Sequence, residues 1–224
     1  MNALLAPLME LADYQEILRE RRKDRGFIQI AGCVNSQKTH LMYALGDGCE
    51  YRAIAFSSEE KAKKAYEEYR LFTENVYLYP ARDLLFYYAD IKGKLLTHRR
   101  MEVLRTLIEK EDSGKGFQDP VTVITTMDAF LDGLARPDEI RKQRLTLSGG
   151  SIVDLTELES RLSAMGYEYA VQIEGPGQFA VRGGIIDIFP LTEELPVRIE
   201  LWGDEIDSIR SFDVESQRSI ENLE

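Results

Sequence analysis

The 224-residue chain carries 28 basic and 39 acidic side chains, a formal charge of −11, with 44% hydrophobic and 30% charged residues. These proportions are those of a globular protein and exclude a disordered or fibrous chain; the length suits one large domain or two modest ones. No apolar run approaches the roughly 20 residues of a membrane span. The start, Ala3-Leu4-Leu5-Ala6-Pro7-Leu8-Met9-Glu10, has no cationic stretch ahead of its apolar residues, so it reads as a short helix and not as an export signal. Two cysteines, Cys33 and Cys49, stand without a CxxC pair or a Cys/His cluster. That argues against a disulfide scaffold or a zinc site and fits a reducing, cytoplasmic setting.

In chain order, Phe27-Ile28-Gln29-Ile30-Ala31-Gly32 predicts a first strand, and residues 38–45 a helix stopped by Gly46. Residues 52–56 form a second strand, followed by a helix that Ser57 or Ser58 can cap and that carries Ala62, Ala65, Tyr66 and Tyr69 on one face. Residues 76–79 read as a third strand, 98–108 as a helix, 121–125 as another strand and 127–134 as a short helix. Strands alternating with helices imply an α/β domain with a mostly parallel sheet, here over residues 1–135.

Residues 136–213 follow a different plan. Asp154-Leu155-Thr156-Glu157 has capping-box spacing, and Leu155, Leu158, Leu162 and Met165 line one face of a helix ended by Gly166. Five short strand-like runs follow (167–173, 178–182, 185–189, 197–202 and 206–212), separated by Gly, Pro and Asp turn signals. That pattern predicts a smaller α+β domain, an antiparallel sheet with one helix. Residues 214–224 are expected to begin a following segment.

Charge divides along the chain. Residues 1–116 hold 19 basic and 18 acidic side chains, whereas residues 117–224 hold 9 and 21, a net −12. Such an acidic surface repels phosphates, which bind by exchanging counterions for Lys and Arg. The second half is therefore a poor nucleic-acid binder; its acidity suits a protein partner or serves solubility alone.

The junction Gly32-Cys33-Val34-Asn35-Ser36-Gln37-Lys38-Thr39 is close to the phosphate-loop pattern G-x-x-x-x-G-K-[ST]. Gly32, Lys38 and Thr39 hold its fixed positions, but Gln37 replaces the second glycine. The loop needs glycine there for close approach of backbone N–H groups to phosphate, and a glutamine side chain obstructs it. The element reads as vestigial. Asp204-Glu205 makes a poor magnesium motif in a predicted hairpin turn. Asp128, after a strand, either stands at a sheet edge or caps the helix behind it. His40 and His98 lie in predicted helices with no nucleophile beside them.

The run Gly177-Gln178-Phe179-Ala180-Val181-Arg182-Gly183-Gly184-Ile185-Ile186-Asp187-Ile188-Phe189-Pro190 and its continuation from Val197 to Arg210 resemble domain 2 of UvrB. They resemble more closely the matching domain of the bacterial transcription-repair coupling factors (the Mfd family), as do Phe212 to Ser219, Tyr79 to Asp83 and Val123 to Phe130. The resemblance implies the N-terminal UvrB-like module of such a factor: a degenerate P-loop, RecA-like domain followed by a UvrA-binding domain. It places UvrA contacts at Arg182, Arg198 and Trp202, with Asp187 and Arg210 as weaker candidates bracing the hairpin. Arg198 and Trp202, four residues apart in a strand, face the same side, and an arginine with an indole makes a common interface anchor. The same resemblance implies no catalysis and no cofactor in this segment. RNA-polymerase and DNA contacts, and an ATP- and magnesium-dependent motor, are expected in sequence beyond Glu224. UvrB's tyrosine-rich DNA hairpin has only the short stretch 84–94 as its counterpart. The function expected is recruitment of UvrA to stalled-polymerase lesions, with intramolecular docking of domain 2 as a further possibility. The alternative is a truncated ATP-dependent UvrB-like helicase, which requires nucleotide at Lys38 and Thr39.

Overall fold

The computed structural model describes residues 4–22, 27–82, 90–115, 120–134 and 136–223. The chain divides into two compact units, Met1–Ala81 with Glu109–Leu131, and Arg82–Ile108 with Asp132–Glu224.

The first unit opens with α1 (Ala6–Met9), α2 (Ala12–Arg22) and α3 (Asn35–Leu45), which share a small core of Leu5, Leu8, Tyr14 and Ala44. β1 (Tyr51–Phe56), α4 (Glu59–Tyr69) and β2 (Val76–Tyr79) follow. The Ser58 hydroxyl accepts from the Lys61 N–H at 3.4 Å and so caps α4. The helix turns Ala62 and Tyr69 onto Val76 and Ile124. After α5 (Asp90–Ser113), whose last turns belong to this unit, come β3 (Val121–Thr126) and α6 (Met127–Leu131). All pairings are parallel, in the order β1-β3-β2, and five of the six β3 residues are buried, as a central parallel strand requires. The Thr126 hydroxyl, and not Asp128, caps α6 by accepting from the Ala129 N–H at 3.2 Å.

One predicted strand is not formed. Residues 27–32 form no strand and pair with none of the sheet, and Phe27 is 90% exposed. A β-favouring run marks only a chain fit for a pleated surface; a strand also needs a hydrogen-bonding edge to join. The helix expected over 98–108 is longer than its apolar spacing indicates and starts at Asp90; residues 84–89 of the short stretch 84–94 lie outside the described residues.

The second unit holds the start of α5, then α7 (Pro137–Lys142), α8 (Leu155–Ala164) and a sheet of six strands: β4 (Glu168–Tyr169), β5 (Gln178–Arg182), β6 (Ile185–Ile188), β7 (Val197–Trp202), β8 (Glu205–Phe212) and β9 (Ser219–Leu223). The strands pair in chain order, antiparallel except for β4, which runs parallel to β5, so the sheet is mixed and not purely antiparallel. The Asp154 carboxylate accepts from the Glu157 N–H at 3.0 Å and starts α8. Leu158 and Leu162 of that helix meet Phe179, Ile186, Ile199 and Ile206 from one face of the sheet. Each such buried side chain contributes about 1.5–3 kcal/mol relative to exposure. β9 was not foreseen because all five of its side chains are exposed. It has no burial alternation to read, and backbone pairing to β8 alone places it.

Candidate protein-binding face

β5 turns into β6 through Gly183-Gly184, and β7 into β8 through Gly203-Asp204. Gly183 and Gly203 take φ of 62° and 64°, the left-handed conformation that two-residue hairpins need at their first position. These tight turns fix the register, which sets Ala180, Asp187, Arg198 and Arg210 side by side across four strands. Cross-strand neighbours and alternate residues share a face, so Arg182, Glu200 and Trp202 join them. This is the face turned away from α8, since the residues packed on α8 have the opposite parity.

Asp187, only 1% exposed, is the centre of the face. Its Oδ1 accepts from Arg198 Nε at 2.7 Å and its Oδ2 from Arg198 Nη2 at 2.9 Å, a bidentate pair. Oδ2 also accepts from Arg182 Nη2 at 2.5 Å. The Arg198 guanidinium lies 4.3 Å from the Phe212 ring centroid and donates from Nη2 to Gln217 Oε1 at 2.9 Å. The Asp187 hydrogen bond outweighs burial and raises the Arg198 pKa above its ordinary value. Arg198 is therefore not the open contact that the sequence suggests. Its side chain is only 15% exposed, whereas that of Arg182 is 45% exposed. Nor does Arg198 pair with nearby Glu200. That carboxylate accepts from Arg210 Nη2 at 2.7 Å and from the Ser208 hydroxyl at 3.2 Å.

Trp202 ends β7 with 84% of its surface exposed, on the same face as Arg198. It does not pack in the core. Across the hairpin it is paired with Glu205, which is bridged in turn to exposed Ile152. The sequence reading missed Ile152, placed beside the hairpin tip by backbone hydrogen bonds between residues 150–153 and 204–206, and Gln217, whose only signal was its position in the resembling run after Phe212.

In the first unit, the phosphate-loop residues have another arrangement. Gly32 takes φ of 86°, and α3 starts at Asn35, so Gln37, Lys38 and Thr39 all lie within helix. The Lys38 N–H donates to the Val34 carbonyl at 3.0 Å. Thr39 is buried and its hydroxyl donates to a Glu68 carboxylate oxygen at 2.6 Å. A threonine at this pattern position would serve a metal ion; here a carboxylate holds it. Among the described residues no cluster of three or more His, Cys, Asp and Glu side chains is placed to hold a metal, and no helix is long and apolar enough to cross a membrane.

Residues 145–224 match the UvrB interaction domain family. The chain is similar to the transcription-repair-coupling factor of Bacillus subtilis (strain 168), 37% identical over 150 residues, which is 66% of this chain and 12% of the relative. It is also similar to that of Staphylococcus aureus (strain MRSA252), 36% identical over 151 residues, 67% of this chain and 12% of the relative. The chain thus spans about an eighth of the length of these relatives.

Proposed function

Since the chain is a UvrB-like module of the transcription-repair-coupling-factor family, with residues 145–224 its UvrB interaction domain, we propose that its second unit binds UvrA and so recruits excision repair to stalled transcription. The observation that carries this reading is the sheet face opposite α8, which presents exposed Trp202 and a half-exposed Arg182 bonded to the buried Asp187. Arg supplies planar, bidentate hydrogen bonding and Trp a large area to bury, the combination that dominates binding energy at interfaces. Arg182 and Trp202 are the contact residues in this reading, Asp187 and Arg198 hold Arg182 in place, and Arg210 stiffens the edge through Glu200. No chemistry is required of the module. Its first unit supplies a nucleotide-binding shape without nucleotide, while polymerase, DNA and ATP belong to the longer protein.

Calorimetric titration of UvrA with this chain tests the proposal. Arg182→Ala with Trp202→Ala is the variant to use, because it leaves buried Asp187 its bidentate pair with Arg198, whereas truncating Arg198 would remove that pair. Loss of binding is expected with the fold retained and the melting temperature lowered only by the loss of the Arg182 bond to Asp187; affinity equal to that of the unaltered chain removes the proposal.

A further inference from the structure

The turn between β8 and β9 reaches back into the arginine face, and we infer that Gln217 is a positioning residue for UvrA binding, one that holds Arg198 and, through Asp187, the exposed Arg182. This inference rests on the UvrA reading of the face.

Gln217 has φ of 59°, and among the described residues no other non-glycine residue has a positive φ. Glycine fits that conformation without steric cost and asparagine tolerates it better than most, so a glutamine there needs a reason. The turn itself does not supply one. The Asp213 N–H donates to the Arg218 carbonyl at 2.9 Å, and the Asp213 carboxylate accepts from the Ser216 N–H at 2.8 Å and from its hydroxyl at 2.6 Å. These bonds, with the Gln217 N–H donating to the Asp213 carbonyl at 2.8 Å, close the turn, and any residue that accepts the positive φ can make that backbone bond.

What the glutamine adds is a double acceptor for Arg198. Its amide Nε2 donates to the Val214 carbonyl at 2.7 Å, which fixes the orientation of the amide and aims Oε1 at Arg198. Oε1 accepts from Arg198 Nη2 at 2.9 Å, and the Gln217 backbone carbonyl accepts from Nη1 at 3.4 Å. With the two bonds to Asp187, four of the five N–H groups of the guanidinium are engaged. Arg198 can then neither rotate nor swing outward. Asp187 Oδ2, shared by both arginines, is held where Arg182 meets it. A contact arginine already held in place loses less freedom on binding.

Gln217→Gly separates this role from a structural one, since it relieves the backbone and removes only the amide. The expected results are a melting temperature at or above that of the unaltered chain and UvrA affinity weaker by about three- to tenfold, the cost of ordering one long side chain on binding. Nitrogen-15 NMR of the Arg198 guanidinium should show slow rotation about Nε–Cζ in the unaltered chain and measurably faster rotation in the variant, which keeps the pair with Asp187 but loses the Oε1 acceptor. A glycine variant that binds UvrA as tightly as the unaltered chain, or whose affinity and melting temperature fall together, overturns the positioning role. No binding by the unaltered chain overturns the UvrA reading beneath it, and this role with it.

Discussion

The phosphate-loop segment of the first unit and the arginine face of the second each gather polar side chains that sequence patterns flag, but they dispose of them differently. At Thr39 the hydroxyl is buried and hydrogen-bonded to Glu68, and the loop residues ahead of it are wound into α3. That polar group is answered within the unit, by a carboxylate of the same unit. On the sheet face Asp187 and most of Arg198 are likewise answered internally, yet Trp202 and part of Arg182 stay outside the network. The difference teaches that a recognisable motif indicates binding only where some of its members remain unpaired at the surface. A buried network can support such members without touching a partner.

The largest test of that contrast is Asp187→Ala. Removing the carboxylate leaves Arg198 largely buried beside Phe212 without its counter-charge. Urea unfolding should show a loss of about 3–5 kcal/mol, typical of a broken buried ion pair. A loss below about 1 kcal/mol would mean that the face is held by its strands alone.

Trp202→Ala should do the opposite. Stability should stay within about 0.5 kcal/mol, as for an exposed position. Binding to UvrA should weaken by at least about 2 kcal/mol, roughly 30-fold, if the indole is an anchor. Unaltered affinity in calorimetry would move the contact elsewhere on the unit.

In the first unit, Thr39→Val should cost about 1.5–3 kcal/mol, since it strips a charged acceptor of a buried donor. Gln37→Gly alone should not bring saturable ATP binding in equilibrium dialysis, because Thr39 remains tied to Glu68. Micromolar binding by the glycine variant would revive the nucleotide-dependent alternative.

The smallest effect concerns pH. Hydrogen bonds from the Ser216 side chain and backbone lower the Asp213 pKa. Its contribution is therefore fully present above the unfolded-state value and is lost as pH falls through the lower, folded one. Asp213 is only partly buried, so Asp213→Asn should flatten the acid limb of a melting-temperature profile only slightly; an identical acid limb would show that the turn is held by its backbone.

Local pattern made much of this molecule legible. Alternating burial and glycine turns marked β5 to β8, helical spacing with Asp154 marked α8, and strand–helix alternation marked the parallel sheet of β1, β3 and β2. Gln37 in place of glycine, and the shared face of Arg198 and Trp202, were also open to reading, because each depends on spacing within one element. The strand expected at 27–31, the exposed strand β9 and the parallel pairing of β4 were not, since each turns on which edge a segment meets. Nor could spacing reveal that Arg198 bonds to Asp187 and Gln217, 11 and 19 residues away, or Thr39 to Glu68, 29 residues away. Such contacts depend on strand register and on the packing of separate elements. Residue type and periodicity dictate which side chains share a surface; folding in three dimensions selects which of them satisfy one another and which stay free for a partner.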